Sequence, residues 1–214
     1  MLIPPNDYFP SEILGGAIAF YDNAWPSVKA TVAVLEGVAN TSSEGIDPAR
    51  TFVPATVHAS LDYEKADNLE VRNARTNSHL NLNYAAEFDE ELRIIHNQYS
   101  DLITRTIKPY VENLGINEPI TEGENYNVLR YQTGQHYFAH YDGGTGTKRS
   151  VSAILYLNDD YEGGEIEFVN FGVKIKPKAG TFLLFPSNYP YRHIAHPVTS
   201  GTKYAIVTWL HDRP

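Results

Sequence analysis

The 214-residue chain contains no cysteine. Disulfides, thiolate nucleophiles, Cys-ligated zinc and iron–sulfur clusters are therefore excluded. Positive charge is in short supply, with 17 Lys and Arg against 26 Asp and Glu for a formal net charge of -9. A chain of that sign lacks the electrostatic footprint of a nucleic-acid or membrane-surface binder, so no nucleic acid and no membrane is expected as a partner. Long apolar runs are missing too, since nothing approaches the length of a membrane-spanning helix. The opening stretch MLIPPNDYFPSEILGG has no basic segment followed by an apolar one, which predicts a protein without a secretory leader. A cytoplasmic setting is expected, in a bacterium or in a host infected by a virus.

What is present is enough for a substantial core. Hydrophobic residues make up 42% of the chain, and its length predicts a single domain over 1–214, with a helical support region (1–120) and a β-rich core (121–214). The 15 tyrosines suit strands whose polar-tipped rings line a cavity.

Ser11 can cap a short helix in SEILGGAIAFYDN, and Val28, Val32, Leu35 and Val38 are spaced for one face of a second helix after Pro26. Residues 39–50 read as a loop, and VRNARTNSHLNLN as one strand. The clearest helix carries Phe88, Leu92, Ile95, Tyr99 and Leu102 at three- and four-residue steps. Pro109 should kink or break it, and Gly115 marks its end. From Asn125 the texture changes to short Val-, Ile-, Tyr- and Phe-rich runs between turn clusters. Strands are predicted near 125–132, 136–141, 149–157, 165–169, 172–176, 181–185, 191–198 and 203–210. Antiparallel strands at that spacing, preceded by helices, predict an α+β protein: a double-stranded β-helix, or jelly roll, with a buttressing N-terminal helical layer.

The chemistry concentrates between Tyr131 and Trp209. His140 and Asp142 stand two apart at a strand end, and a second imidazole follows much later in RHIAHP. Two imidazoles and a carboxylate can occupy one face of an octahedral metal, leaving three positions open, an arrangement suited to non-haem Fe(II). Alternation along the strand places His193 and His196 on opposite faces, and parity alone leaves open which of them joins the site. Singly, each of these residues has a plainer reading. His58, His79, His96 and His211 read as satisfied or surface histidines, Lys203 alone as a surface lysine, Trp209 equally as core, and Gly163-Gly164 first as a turn.

The ordered combination is more specific. Tyr131-Gln132-Thr133-Gly134, Tyr137-Phe138-Ala139-His140-Tyr141-Asp142, Tyr156-Leu157-Asn158-Asp159, Gly163-Gly164-Glu165, His193, Pro197-Val198, Gly201-Thr202-Lys203 and Trp209 follow one another with set spacings. In this the chain resembles the Fe(II)- and 2-oxoglutarate-dependent dioxygenases, specifically the prolyl 4-hydroxylase group, over about residues 124–211, with a weaker echo in 72–82. The resemblance implies iron ligands His140, Asp142 and His193, the last preferred because it stands four before Pro197 and ten before Lys203. It implies that Lys203 pairs with the distal carboxylate of 2-oxoglutarate, and that Tyr131 and Ser152 help bind this cosubstrate. Ser152 stands where the group usually has Thr. Tyr137 and Trp209 match positions that face the substrate proline. Tyr137 has the wrong parity to share a face with His140 on a regular strand, so its role requires a bulge.

The implied activity is hydroxylation of an unactivated C–H bond coupled to decarboxylation of 2-oxoglutarate, consuming O2 and releasing succinate and CO2, with ascorbate as reductant. Retention of Asp142 speaks for hydroxylation over halogenation. A proline-containing peptide or protein is the expected substrate. The alternatives are the same chemistry on another amino acid, a metabolite or a nucleobase, or a non-catalytic metal-binding jelly-roll module. The absence of cysteines and of a leader resembles bacterial or viral members of the group. Monomer and homodimer stay equally open.

Overall fold

The computed structural model describes residues 10–41, 47, 50–55, 74–115, 120, 122–144 and 147–212. In chain order the strands are β1 (Glu12–Leu14), β2 (Ile18–Tyr21), β3 (Val53–Pro54), β4 (Ser78–Asn81), β5 (Glu122–Gly123), β6 (Asn127–Gln132), β7 (Tyr137–His140) and β8 (Arg149–Tyr156). They continue with β9 (Glu162–Gly163), β10 (Ile166–Phe168), β11 (Val173–Ile175), β12 (Phe182–Pro186), β13 (His193–Ala195), β14 (Val198–Ser200) and β15 (Thr202–His211). The α-helices are α1 (Val28–Asn40), α2 (Leu82–Ala85) and α3 (Glu90–Asn113).

The major sheet runs β1-β2-β12-β8-β15-β6-β4-β3, with β5 also on β15. A minor sheet runs β11-β10-β13-β7, and β14 pairs with β9. All pairings are antiparallel.

Strand alternation sorts the core into two layers. Ala153 and Leu155 of β8, with Tyr204, Ile206 and Leu210 of β15, pack toward Leu35 of α1 and the α3 stripe. Ile154 and Tyr156, with Ala205 and Val207, face the other way, into a cluster shared with Ile166 and Phe168 of the minor sheet. That second layer is the interior of the jelly roll. Lys203 has the parity of Ala205 and Val207, so regular alternation alone delivers a lysine to the inside.

Helix α3 shows why the helices pack where they do. The Asp89 side chain accepts from the Leu92 amide, and Glu90 and Glu91 lie in the first turn, where carboxylates complement the positive end of the helix dipole. Leu92, Ile95, Tyr99 and Leu102 are buried as their spacing requires. Phe88 falls outside the stripe: it precedes the cap and is half exposed, against Tyr84 and beneath Arg50. The Tyr99 hydroxyl sits between the Ala153 and Ile206 carbonyl oxygens, 3.1 and 3.2 Å away. It thereby ties the helix to the two central strands.

The structure corrects three expectations. Residues 12–21 form a β-hairpin turning at Gly15 and Gly16, not a helix, and β2 pairs with β12 inside the major sheet. The region before residue 121 is therefore only partly helical. Helix α3 is also not broken at Pro109 but continues to Asn113. The proline forfeits one bond near the helix end, while Tyr110 and Val111 stay buried and the Tyr110 hydroxyl donates to Ala17 C=O at 2.8 Å. Tertiary packing here outweighs a local preference. Finally, the single strand predicted over 191–198 is two, β13 and β14, in different sheets. Most of the loop 42–50, residues 71–73 of the strand read over 71–83, and His58 lie outside the described residues.

Gly163 carries a fold-level prediction. Its φ is +69°, and a Cβ there would stand 3.1 Å from the Thr199 amide nitrogen and overlap the Pro197 carbonyl oxygen. Gly163→Ala is expected to cost about 1–3 kcal/mol from backbone strain alone, and to lower the melting temperature by roughly 5 °C or more on the scale for a chain of this size. Differential scanning calorimetry checks it; an unchanged melting temperature would show that the β9–β14 turn can relax.

Candidate metal centre and cosubstrate cavity

His140 ends β7 and His193 begins β13, directly across the ladder from it. Asp142 follows His140 by two residues, where the chain leaves the strand. The three side chains offer ligand atoms that all lie within 4.8 Å of one another. His140 Nε2 is 3.5 Å from Asp142 Oδ1, and His193 Nε2 is 3.8 Å from Asp142 Oδ2.

The ring nitrogens are differentiated. His140 Nδ1 lies 2.7 Å from the Phe138 carbonyl oxygen, and His193 Nδ1 lies 3.0 Å from that of Tyr191. A carbonyl only accepts, so each Nδ1 carries a proton and each Nε2 is the ring nitrogen on the side of the carboxylate. Burial pushes the His193 imidazolium down to about 4, helped by the neighbouring His140, so this ring is neutral at pH 7. Burial alone would raise the Asp142 pKa, but the His193 and His140 imidazoles and a hydrogen bond from Ser152 outweigh it and hold the carboxyl well below its usual range. Two imidazole Nε2 atoms and one ionised carboxylate are the donor set that a borderline divalent ion needs. The residues fit a metal.

His196 lies on the other side of the strand, its Nε2 2.6 Å from Glu167 Oε2. The alternative that strand parity left open thus falls to His193. A bulge places Tyr137. Residues 193 and 195 of β13 oppose 140 and 137 of β7, so β7 carries one residue more between the matched pairs. Tyr137 consequently turns inward and stacks on His140, with ring centres 3.5 Å apart and planes 15° from parallel.

One cavity holds the triad, Lys203, Tyr131, Tyr137 and Trp209, between apolar walls that include Leu129, Ile154 and Val207. Lys203 is 3% exposed. Its ammonium donates to the Gly164 carbonyl at 2.6 Å and lies 5.1 to 5.9 Å from the ring centres of Tyr156, Tyr131 and Tyr161. Burial pushes its pKa down to about 7, partly offset by the Glu165 carboxylate. No salt bridge to it occurs among the described residues. A buried ammonium held only by a carbonyl and aromatic faces is costly, and an anion entering the cavity relieves that cost. Gly164 thus has a part in the site besides the turn.

Ser152, expected beside the cosubstrate, donates to Asp142 Oδ2 at 2.6 Å. Trp209 lies under Arg149, whose guanidinium carbon is 3.7 Å from the ring centre, and its Nε1 has no partner among the described residues. Arg149 also makes a two-pronged pair with Glu124 (2.6 and 2.7 Å), and its Nη1 reaches the Asp142 carbonyl at 3.3 Å. Sequence reasoning missed Glu124, Arg149 and the cavity-lining Arg75, whose Nε donates to Asn77. The first two are far apart along the chain, and no local pattern links them.

Comparison with known proteins agrees with this geometry. Residues 126–211 match the model of the 2OG-Fe(II) oxygenase superfamily. The chain is 36% identical over 124 residues to a probable prolyl 4-hydroxylase 9 of Arabidopsis thaliana, covering 44% of this chain and 43% of that protein. It is 33% identical over 129 residues to a putative prolyl 4-hydroxylase of Acanthamoeba polyphaga mimivirus, covering 50% and 53%. The chain thus spans about half the length of these curated relatives. A solved prolyl hydroxylase from Trichoplax adhaerens, in complex with a hypoxia inducible factor oxygen degradation domain peptide fragment, superposes with a TM-score of 0.68 at 24% identity. That match covers 92% of this chain and 84% of the other, and it speaks to the fold. No described helix is long and apolar enough to cross a membrane. The jelly roll, the His-Asp-His cluster and the matched segment converge: residues 126–211 match a 2OG-Fe(II) oxygenase domain, and the chain is similar to proteins named as prolyl 4-hydroxylases.

Proposed function

We propose that this chain is an Fe(II)- and 2-oxoglutarate-dependent hydroxylase acting on prolyl residues of a peptide or protein, within one domain over 1–214. The observation that carries the reading is the placement, in one cavity, of two imidazole Nε2 atoms, a buried carboxylate and a buried lysine that has no carboxylate partner among the described residues. His140, Asp142 and His193 would hold the iron, which when loaded with 2-oxoglutarate and O2 supplies the oxidising power, with succinate and CO2 as coproducts. Lys203 takes the distal carboxylate of 2-oxoglutarate by a charge-assisted hydrogen bond, and Tyr131, which lines the same cavity, adds its hydroxyl. Tyr137 and Trp209 flank the space left for a substrate ring. The apolar walls exclude water from the reacting face. The relatives' names support a prolyl substrate, the acidic chain argues against a nucleobase, and a cytoplasmic setting belongs to the same proposal.

The test is succinate release by purified protein with Fe(II), ascorbate and 2-oxoglutarate, with and without proline-rich peptides. Peptide-stimulated release with one oxygen gained on proline is expected. Release without stimulation would keep the oxygenase and move the substrate to another amino acid, a metabolite or a nucleobase. Iron and cosubstrate binding without any release would identify a non-catalytic module.

A further inference from the structure

Asp142 is gripped from a direction that the family motifs do not reveal. Ser152 and Ser187 are both fully buried, and their hydroxyl oxygens are 2.8 Å apart. Ser152 also lies 2.6 Å from Asp142 Oδ2. An ionised carboxylate only accepts, so the single Ser152 proton is spent on Asp142. In the contact between the two serines, Ser187 must then donate. The proton order is fixed as Ser187 to Ser152 to Asp142, and each bond polarises the next.

Ser187 holds the same region through its backbone. Its carbonyl accepts from the Gly143 amide at 2.6 Å, and its own amide donates to the Ser150 carbonyl at 3.0 Å. Every polar group of Ser187 is therefore engaged within two residues of either Asp142 or Ser152. The approach at Gly143 is close: a Cβ there would stand 3.0 Å from the Ser187 carbonyl oxygen and 3.1 Å from that of Arg149. With Ser152 committed to Oδ2, the oxygen facing His140 is Oδ1. The carboxylate is thus denied free rotation before any metal arrives.

We propose that Ser187 is a positioning residue for the metal-binding carboxylate, acting through Ser152 on the side chain and through Gly143 on the backbone. This rests on the reading of His140, Asp142 and His193 as metal ligands. A serine pair that merely satisfied its own hydrogen bonds would affect stability and leave the metal alone. A positioning pair changes metal affinity, on the scale of about 10- to 100-fold typical of groups that orient ligands.

The experiment is anaerobic titration with Fe(II) and with Co(II), whose visible absorption reports ligand geometry. It compares the wild type with Ser187→Ala, Ser152→Ala, the double variant, Ser187→Thr and Asp142→Ala. Binding about 10-fold weaker in Ser187→Ala, with an altered Co(II) spectrum and recovery in Ser187→Thr, is expected. Because the Ser187 side chain works through Ser152, the double variant should bind no more weakly than Ser152→Ala. Wild-type affinity and spectrum in Ser187→Ala would overturn the proposal. Should Ser187→Ala fail to fold, Ser152→Ala decides in its place: weakened binding supports the relay and wild-type binding ends it. A wild type that binds no metal, or an Asp142→Ala variant that binds it equally well, would instead overturn the reading of the triad.

Discussion

Asp142→Ala is expected to abolish tight Fe(II) binding and to lower turnover by more than about a hundredfold, beyond the 10- to 100-fold typical of groups that only orient a ligand. The carboxylate is the one anionic member of the triad; burial and the neighbouring His140 keep His193 neutral. Without Asp142, a divalent ion would meet two neutral nitrogens in a cavity with apolar walls, and its charge would go uncompensated. The fold should tolerate the change, because the Ser152 hydroxyl retains Ser187 as a neighbour. Calorimetric metal titration and single-turnover decarboxylation check both halves. Retained activity in a folded variant would remove Asp142 from the site. Asp142→Asn separates charge from shape: an amide keeps an acceptor for Ser152 yet supplies no anion, so it should resemble alanine in metal affinity.

Lys203→Met should do two opposite things. It should weaken 2-oxoglutarate binding by more than about a hundredfold, the loss that accompanies removal of one partner from a buried ion pair. It should also make the unliganded protein more stable, because a buried ammonium without a counter-ion among the described residues is replaced by an apolar chain of similar length. The pH dependence follows from the displaced lysine. Its pKa falls from 10.5 to about 7 on folding, so between those values the unfolded chain binds more protons than the folded one. Stability then rises with pH across that window in the wild type. Below about pH 7 both states are protonated and the burial penalty is fully felt. The methionine variant lacks this slope. 2-Oxoglutarate affinity should decline as pH rises above about 7, when the free protein loses the charge that the ligand seeks. Urea unfolding at pH 6, 7.5 and 9, with cosubstrate titrations at each pH, checks these statements. A flat wild-type profile identical to that of the variant would show that Lys203 is already paired.

The regular strands were the readable part of the chain. In β8 and β15, alternation alone separated Ile154, Tyr156, Lys203 and Val207 from the residues that pack on the helices. Residues 12–21 were not readable, and β2 shows why. Ile18 and Phe20 join one core layer while Ala19 and Tyr21 join the other, so all four residues are buried. A strand covered on both faces has no alternation, and a short apolar run does not distinguish it from a helix. The cluster of His140, Asp142 and His193 was legible because its spacing is carried by family motifs. The groups that steer it were not. Glu124 and Arg149 lie 25 residues apart and Ser152 and Ser187 lie 35 apart, and such pairings exist only once the sheet has closed.

The extra residue in β7 bears on how this part of the chain can change in length. Removing one residue from a strand ordinarily turns everything on one side of the cut to the wrong face. Between Tyr137 and His140 the reverse holds, because those two already share a face despite standing three apart. Deleting Ala139 would leave them two apart, the interval that a plain ladder provides against Ala195 and His193. Both rings would keep their aim, and the strand would lose only its local kink. The same excision in β13 would carry His193 out of the cavity. Of the two strands that bring the histidines together, one can be shortened by a residue and the other cannot.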